Sequence, residues 1–169
     1  MQTNAASTKS PQFSLRGLFA AMVAVALFAT ATAELKPVYI RTVHQLAIDA
    51  VWGLDGSAMA DANGDFEVRL HGNGIRVDDR ICDQIVVLQE TKKLSITQAQ
   101  ITDRGVADIA KLQNVVFLNL NGCTAITDQS VPILGQMTRL KELWLSQTGI
   151  TSAGVESLRM LLPHCSIHE

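Results

Sequence analysis

Apolar and polar positions along the chain alternate in two periods that take turns. Short apolar-x-apolar pairs occur at Leu94/Ile96, Leu118/Leu120 and Leu143/Leu145. Each has the period-2 pattern of a strand with one buried face. Behind each pair follows an apolar trio near helical spacing: Val106, Ile109 and Leu112; Val131, Leu134 and Met137; Val155, Leu158 and Leu161. These trios predict one buried face of a short helix. The whole unit recurs at 24 and then 25 residues, with the extra residue in the loop Gly122-Cys123-Thr124-Ala125. A looser copy comes first, with Val68 and Leu70, then Ile75, then Ile81, Ile85 and Leu88. Cys165-Ser166-Ile167 reads as one more strand at the far end.

Between strand and helix each copy has a stop: Ile101-Thr102-Asp103, Ile126-Thr127-Asp128 and Ile150-Thr151-Ser152. Thr and Asp before a helix can accept from its first free N–H groups. Gly105 and Gly154 fall in the first helical turns, where a small residue permits close passage of the loop. One strand–loop–helix unit cannot bury its apolar face alone, and stacking of copies buries it.

Ahead of the repeats, Val43, Leu46, Ala47, Ala50, Val51 and Leu54 form a helical stripe ended by Gly53 and Gly56. The stretch from Ser57 to Leu70 carries Asn63-Gly64 in its middle, a strong hairpin-turn signal. Helix and hairpin together, 34–65, are expected to cap the open N-terminal end of the stack, which occupies 66–169.

The first 33 residues read as targeting. Lys9 and Arg16 precede an apolar run from Leu18 to Phe28, and Ala31-Thr32-Ala33 fits a small-residue cleavage site before Glu34. The uncharged run from Gly17 to Ala33 lies at the lower edge for crossing a bilayer. A cleaved signal peptide and a retained signal anchor both fit. Either places the remainder outside the cytoplasm or tethered to its membrane. The intact mass after expression in a secreting host separates the two, since cleavage leaves a chain starting at Glu34.

This arrangement resembles the leucine-rich-repeat family, whose consensus is close to LxxLxLxx(T/C)xITDxGxxxLxxL. The likeness covers about residues 66 to 169. The copy Leu118-Asn-Leu-Asn-Gly-Cys-Thr-Ala-Ile-Thr-Asp128 is similar to the cysteine-containing repeats of F-box adaptors, although no F-box-like segment lies upstream. The likeness is nearer to exported bacterial leucine-rich-repeat proteins of unknown function. It implies an α/β solenoid of three clear repeats and one looser one, with parallel strands on one face and helices on the other. It also implies that Cys123 points inward and satisfies loop backbone, in a column with Asn73, Ala99 and Thr148.

Composition narrows the chemistry. The 14 basic residues less Lys9 and Arg16, set against 16 acids that all follow the leader, leave a net charge of −4. No basic run occurs, so nucleic acid is not an expected partner. Membrane contact is expected only through the N-terminal segment, if it is retained. Asp61-Ala-Asn63-Gly64-Asp65 invites a calcium reading. Counted from Asp61, however, the sixth residue is Phe66 and the twelfth Gly72, against the Gly and Glu that a calcium loop needs, so a turn is expected. His44, His71, His164 and His168 show no metal-ligand spacing. His71-Gly-Asn-Gly lacks the following G-K-[S/T] of a phosphate loop. Stacked strands roughly 4.8 Å apart would hold Cys123 and Cys165, two layers removed, at roughly 10 Å. That is beyond a disulfide, so three free thiols are expected. Neither a catalytic set nor a cofactor site can be assembled, and the chain reads as non-catalytic.

What remains is the outward strand face. Its expected columns are Glu67, Lys93, Phe117 and Glu142; then Arg69, Ser95, Asn119, Trp144 and Ser166; then His71, Thr97, Asn121, Ser146 and His168. Phe117 and Trp144 are large apolar groups expected to be exposed on neighbouring strands, and Trp is a frequent anchor of protein interfaces. The alternative is that they pack on each other or on the cap. The face predicts a protein-binding module using Trp144, Phe117, Asn119, Asn121, Arg69, His71 and Ser146. A self-associating or structural envelope protein is the second reading, and an enzyme with a site that the sequence does not reveal is a remote third.

Overall fold

The computed structural model describes residues 35–61, 64–72 and 77–169, with side chains from Thr42 onward. Residues 1–34, with the expected targeting segment, and Asn63, Asn73 and Ile75 lie outside the described residues. The chain divides into two units, Met1–Thr42 and Val43–Glu169, and the second carries the sheet.

The hairpin and the strands form one six-stranded sheet in chain order. Helix α1 (Leu35–Trp52) leads into β1 (Ser57–Ala60) and β2 (Phe66–His71). Then come α2 (Asp79–Ile85), β3 (Thr91–Thr97), α3 (Asp103–Ile109), β4 (Phe117–Asn119), a 3₁₀ turn (Asp128–Ser130) running into α4 (Val131–Leu134), β5 (Glu142–Trp144), α5 (Ser152–Leu161) and β6 (Ser166–His168). β1 pairs antiparallel with β2 across a turn in which Gly64 has φ +79°. Every later pair is parallel, and each crossover passes through a helix.

The core is where the two periods placed it. Val68, Leu70, Leu94, Ile96, Leu118, Leu120, Leu143 and Leu145 are buried, as are Ile81, Ile85, Val106, Ile109, Leu134, Val155 and Leu158 from the helices. Two expected core positions fail. Leu46 is 43% and Leu161 50% exposed, and Leu162 is buried in place of Leu161. In α5 the helix ends at Leu161, so the chain direction changes there and the next side chain turns inward. The helices are shorter than the trios imply: Leu112 and Met137 lie past α3 and α4, on the turns leading to the next strand. α4 is a single turn, with Pro132 in its first turn, where no backbone N–H is needed, and Gly135 as its C-cap.

The stop motif works differently from its expected role. Thr102, Thr127 and Thr151 do cap their helices, accepting from the N–H of Arg104, Gln129 and Gly154. The aspartates do not cap. Each is the first residue of its helical turn, and its carboxylate reaches the threonine of the following copy. Asp79 accepts from the N–H and hydroxyl of Thr102, both at 2.7 Å. Asp103 accepts from Thr127 at 2.8 and 2.7 Å, and Asp128 from Thr151 at 2.8 Å twice. The result is a ladder that bolts each coil to the next. The small residue in the first helical turn makes room for this carboxylate, not for a passing loop: a Cβ on Gly105 would lie 2.5 Å from Asp79 Oδ1, and one on Gly154 would collide with Asp128. In the middle copy Ser130 occupies that place, fully buried, and its hydroxyl donates to Asp103.

A second column lies just after the strands. Gln98 (φ +51°), Gly122 (φ +77°) and Gln147 (φ +58°) all take the left-handed conformation. There each coil turns away from the sheet, and the N–H of Gln98 and Gly122 donates to Asn121 and Ser146 of the next coil.

Candidate functional site

The outward strand face is the candidate site, and the register fixes its columns. Glu67, Lys93, Phe117, Glu142 and Ser166 stand side by side; so do Arg69, Ser95, Asn119, Trp144 and His168. This corrects the last strand. Ile167, not Cys165, lies opposite Leu143, so Ser166 and His168 each sit one column earlier than expected. A slip of two residues keeps the same side chains facing inward, so periodicity cannot detect it. Only the length of the Pro163 turn sets it.

The slip has a consequence. His168 lands beside Trp144, and the rings stack with centroids 4.0 Å apart and planes 16° apart. Trp144 and Phe117 are half-buried, and Trp144 packs on a histidine that the pattern put in another column. The indole Nε1 is buried with no hydrogen-bond partner. Nε2 of His168 lies 3.2 Å from the Ser166 hydroxyl.

The polar members of the face are largely engaged. Asn119 Oδ1 accepts from the Asn121 N–H at 3.0 Å, and Asn121 Oδ1 accepts from the Ser146 N–H at 2.8 Å, so these asparagines shape the turns after the strands. Arg69 holds Glu67 with two bonds of 2.7 and 2.9 Å. His71 meets the Thr97 hydroxyl at 2.7 Å. Lys93 pairs with Asp61 and Lys92 with Asp65, so the two carboxylates of the calcium-like stretch fasten the β1–β2 hairpin to β3. The structure thus brings Phe117, Asn119 and Trp144 together near β4–β5, with Asn121 and Ser146 at the strand ends. Arg69 and His71 lie two and three strands away, on β2. Sequence reasoning put His168 on this face but one column away from Trp144, because its place depends on a turn length.

The thiols are poorly suited to nucleophilic work. Cys82 and Cys123 are buried, and Cys123 S–H donates to the Ile96 carbonyl at 3.3 Å. Burial raises all three: Cys82 strongly, helped by the nearby Asp79, and Cys165 to about 11. All remain protonated at neutral pH. On the helical side Asp108, nearly buried, is satisfied by Lys111 at 2.5 Å and shares a hydrogen bond with Asp83, with Arg104 3.8 Å from Asp83. Burial, and then that bond, raise the pKa of Asp83. Among the described residues no group of three or more His, Cys, Asp and Glu could hold a metal ion, and no helix is long and apolar enough to cross a membrane.

No protein-family model matches the chain, and no curated protein matches it. Among solved structures the chain is similar to a leucine-rich-repeat protein of Leptospira interrogans. The identity is 24% and the TM-score 0.39, over 52% of this chain and 21% of that one. The chain therefore spans about a fifth of that protein's length. Sheet order and parallel crossovers through helices make the fold leucine-rich-repeat-like.

Proposed function

We propose that this chain is a non-catalytic protein-binding module that uses the face of its parallel strands, with about four repeats closed at the N-terminal end by α1 and the hairpin. The observation that supports this best is the patch in which Asn119, Trp144 and His168 stand in register on three adjacent strands, with Phe117 in the neighbouring row, over a buried core. Half-buried aromatics on a preorganised surface lose little conformational freedom on binding. Trp144→Ala should weaken capture of a physiological partner by roughly tenfold or more, the size of an interface hot spot. Because the indole also stacks on His168, the variant should lose some stability. Capture is therefore compared at a temperature where circular dichroism shows both forms folded. Equal capture by the folded variant rejects this face.

A second reading, self-association, draws on a different feature. Met160 is 71% and Leu161 50% exposed on α5, the helix that leads into the last strand of the sheet. Light scattering that finds a strict monomer over a wide concentration range rejects it.

A further inference from the structure

Opposite charges on the strand face are matched with one exception. Arg69 is held by Glu67 on its own strand, and Lys93 is drawn to Asp61 of the hairpin. Lys93 matters most, because it shares a row with Phe117 and Glu142 and is the row's cation. With its ammonium turned toward Asp61, Glu142 is left exposed with no ion-pair partner among the described residues. Its neighbours in the row are Phe117 and Ser166, and two residues along its own strand, on the same face, is Trp144. Lys141, although adjacent in sequence, alternates to the other face of the strand.

Building on the protein-binding reading, we infer that this patch receives a cationic side chain, arginine or lysine, from an extended segment of a protein partner. The chemistry is complementary on both counts. A carboxylate without a counter-ion attracts the charged head, and the ring edges of Phe117 and Trp144 take the aliphatic stem, which long basic side chains bury readily. One face of the Trp144 ring is covered by His168. The cation is therefore held mainly by Glu142, with the indole as wall rather than as a stacking platform. The net acidity of the chain beyond its leader favours the encounter with a basic segment.

The test uses the full chain and two acetylated tripeptide amides, Gly-Arg-Gly and Gly-citrulline-Gly. These are nearly isosteric and differ by one charge. The two indole N–H resonances serve as reporters: Trp144 in the patch, and Trp52, 55% exposed on α1, as internal reference. The arginine peptide should move Trp144 and leave Trp52 in place. Affinity should fall about fivefold for the citrulline peptide, or for the arginine peptide with Glu142→Gln, the ratio expected for one partly exposed ion pair. Equal titrations with both peptides, or an unchanged affinity in Glu142→Gln, overturn the cationic class. The same variant, exposed at the changed position, is expected to melt as the parent does. The broader reading fails separately: a partner captured equally by Trp144→Ala rejects the face, whereas one lost in Trp144→Ala but indifferent to Glu142→Gln keeps the face and rejects the cation.

Discussion

Asp103→Ala is expected to lower the unfolding free energy by about 2–4 kcal/mol, because it orphans three donors at once. The carboxylate accepts from the N–H and hydroxyl of Thr127 and from the hydroxyl of Ser130, and Ser130 is fully buried, so water cannot replace the lost acceptor there. Asp128→Ala removes the equivalent bolt one coil later but frees only the two groups of Thr151, which is exposed. It should cost about 1–2 kcal/mol. Urea unfolding of both variants checks the order: an Asp103 effect no larger than that of Asp128 would mean that the buried Ser130 hydroxyl adds nothing, and no loss in either variant would mean that the ladder is geometry without energy.

Asp103 also sets an acid limit. Burial alone would raise its pKa, but the hydrogen bonds from Ser130 and Thr127 outweigh burial and hold it below the ordinary carboxylate value. Its contribution is therefore complete above the unfolded value of about 3.9 and is lost as pH falls through the lower folded value. Stability of the parent should drop below about pH 4, and Asp103→Asn, which cannot titrate, should show a shallower drop.

Gly105→Ala should destabilise by about 2 kcal/mol, against the usual gain of about 0.5–1 kcal/mol for replacing a helical glycine by alanine. The reversal comes from the ladder. The new Cβ would lie 2.5 Å from Asp79 Oδ1 and 3.2 Å from Cys82 Sγ, and moving the Asp79 carboxylate away releases both donors of Thr102. Gly105→Ser should be milder than Ala, since Ser130 in the matching place of the next copy turns the same crowding into a hydrogen bond with Asp103. Thermal unfolding of the pair decides: if alanine stabilises, the glycine is not making room for the carboxylate.

These residues show what could be read in advance and what could not. The strand pairs, the helical trios, the hairpin at Gly64 and the threonine caps depend on contacts within a few residues of each other. Side-chain periodicity and turn chemistry report such contacts directly. The aspartate beside each cap was visible as a motif, but its partner was not, because that partner lies 23 or 24 residues downstream. In hindsight one signal pointed to it. Ser152 stands in the aspartate's place in the last clear copy, and the stretch from there to Glu169 carries no threonine.

The candidate site divides the same way. That Phe117, Asn119 and Trp144 share the outer face follows from alternation along a strand, which is local. That Trp144 meets His168 and that Lys93 abandons its row for Asp61 are facts of register and of the hairpin's position. The sequence by itself determined the period, the buried and outward faces, and the residues able to end each element, since these are set by neighbours along the chain. Tertiary structure alone decided how far β6 slides against β5, where each carboxylate finds its donors and which charge on the face stays unpaired. Stacking brings together groups that one chain period separates, and two-residue periodicity cannot distinguish one such register from the next.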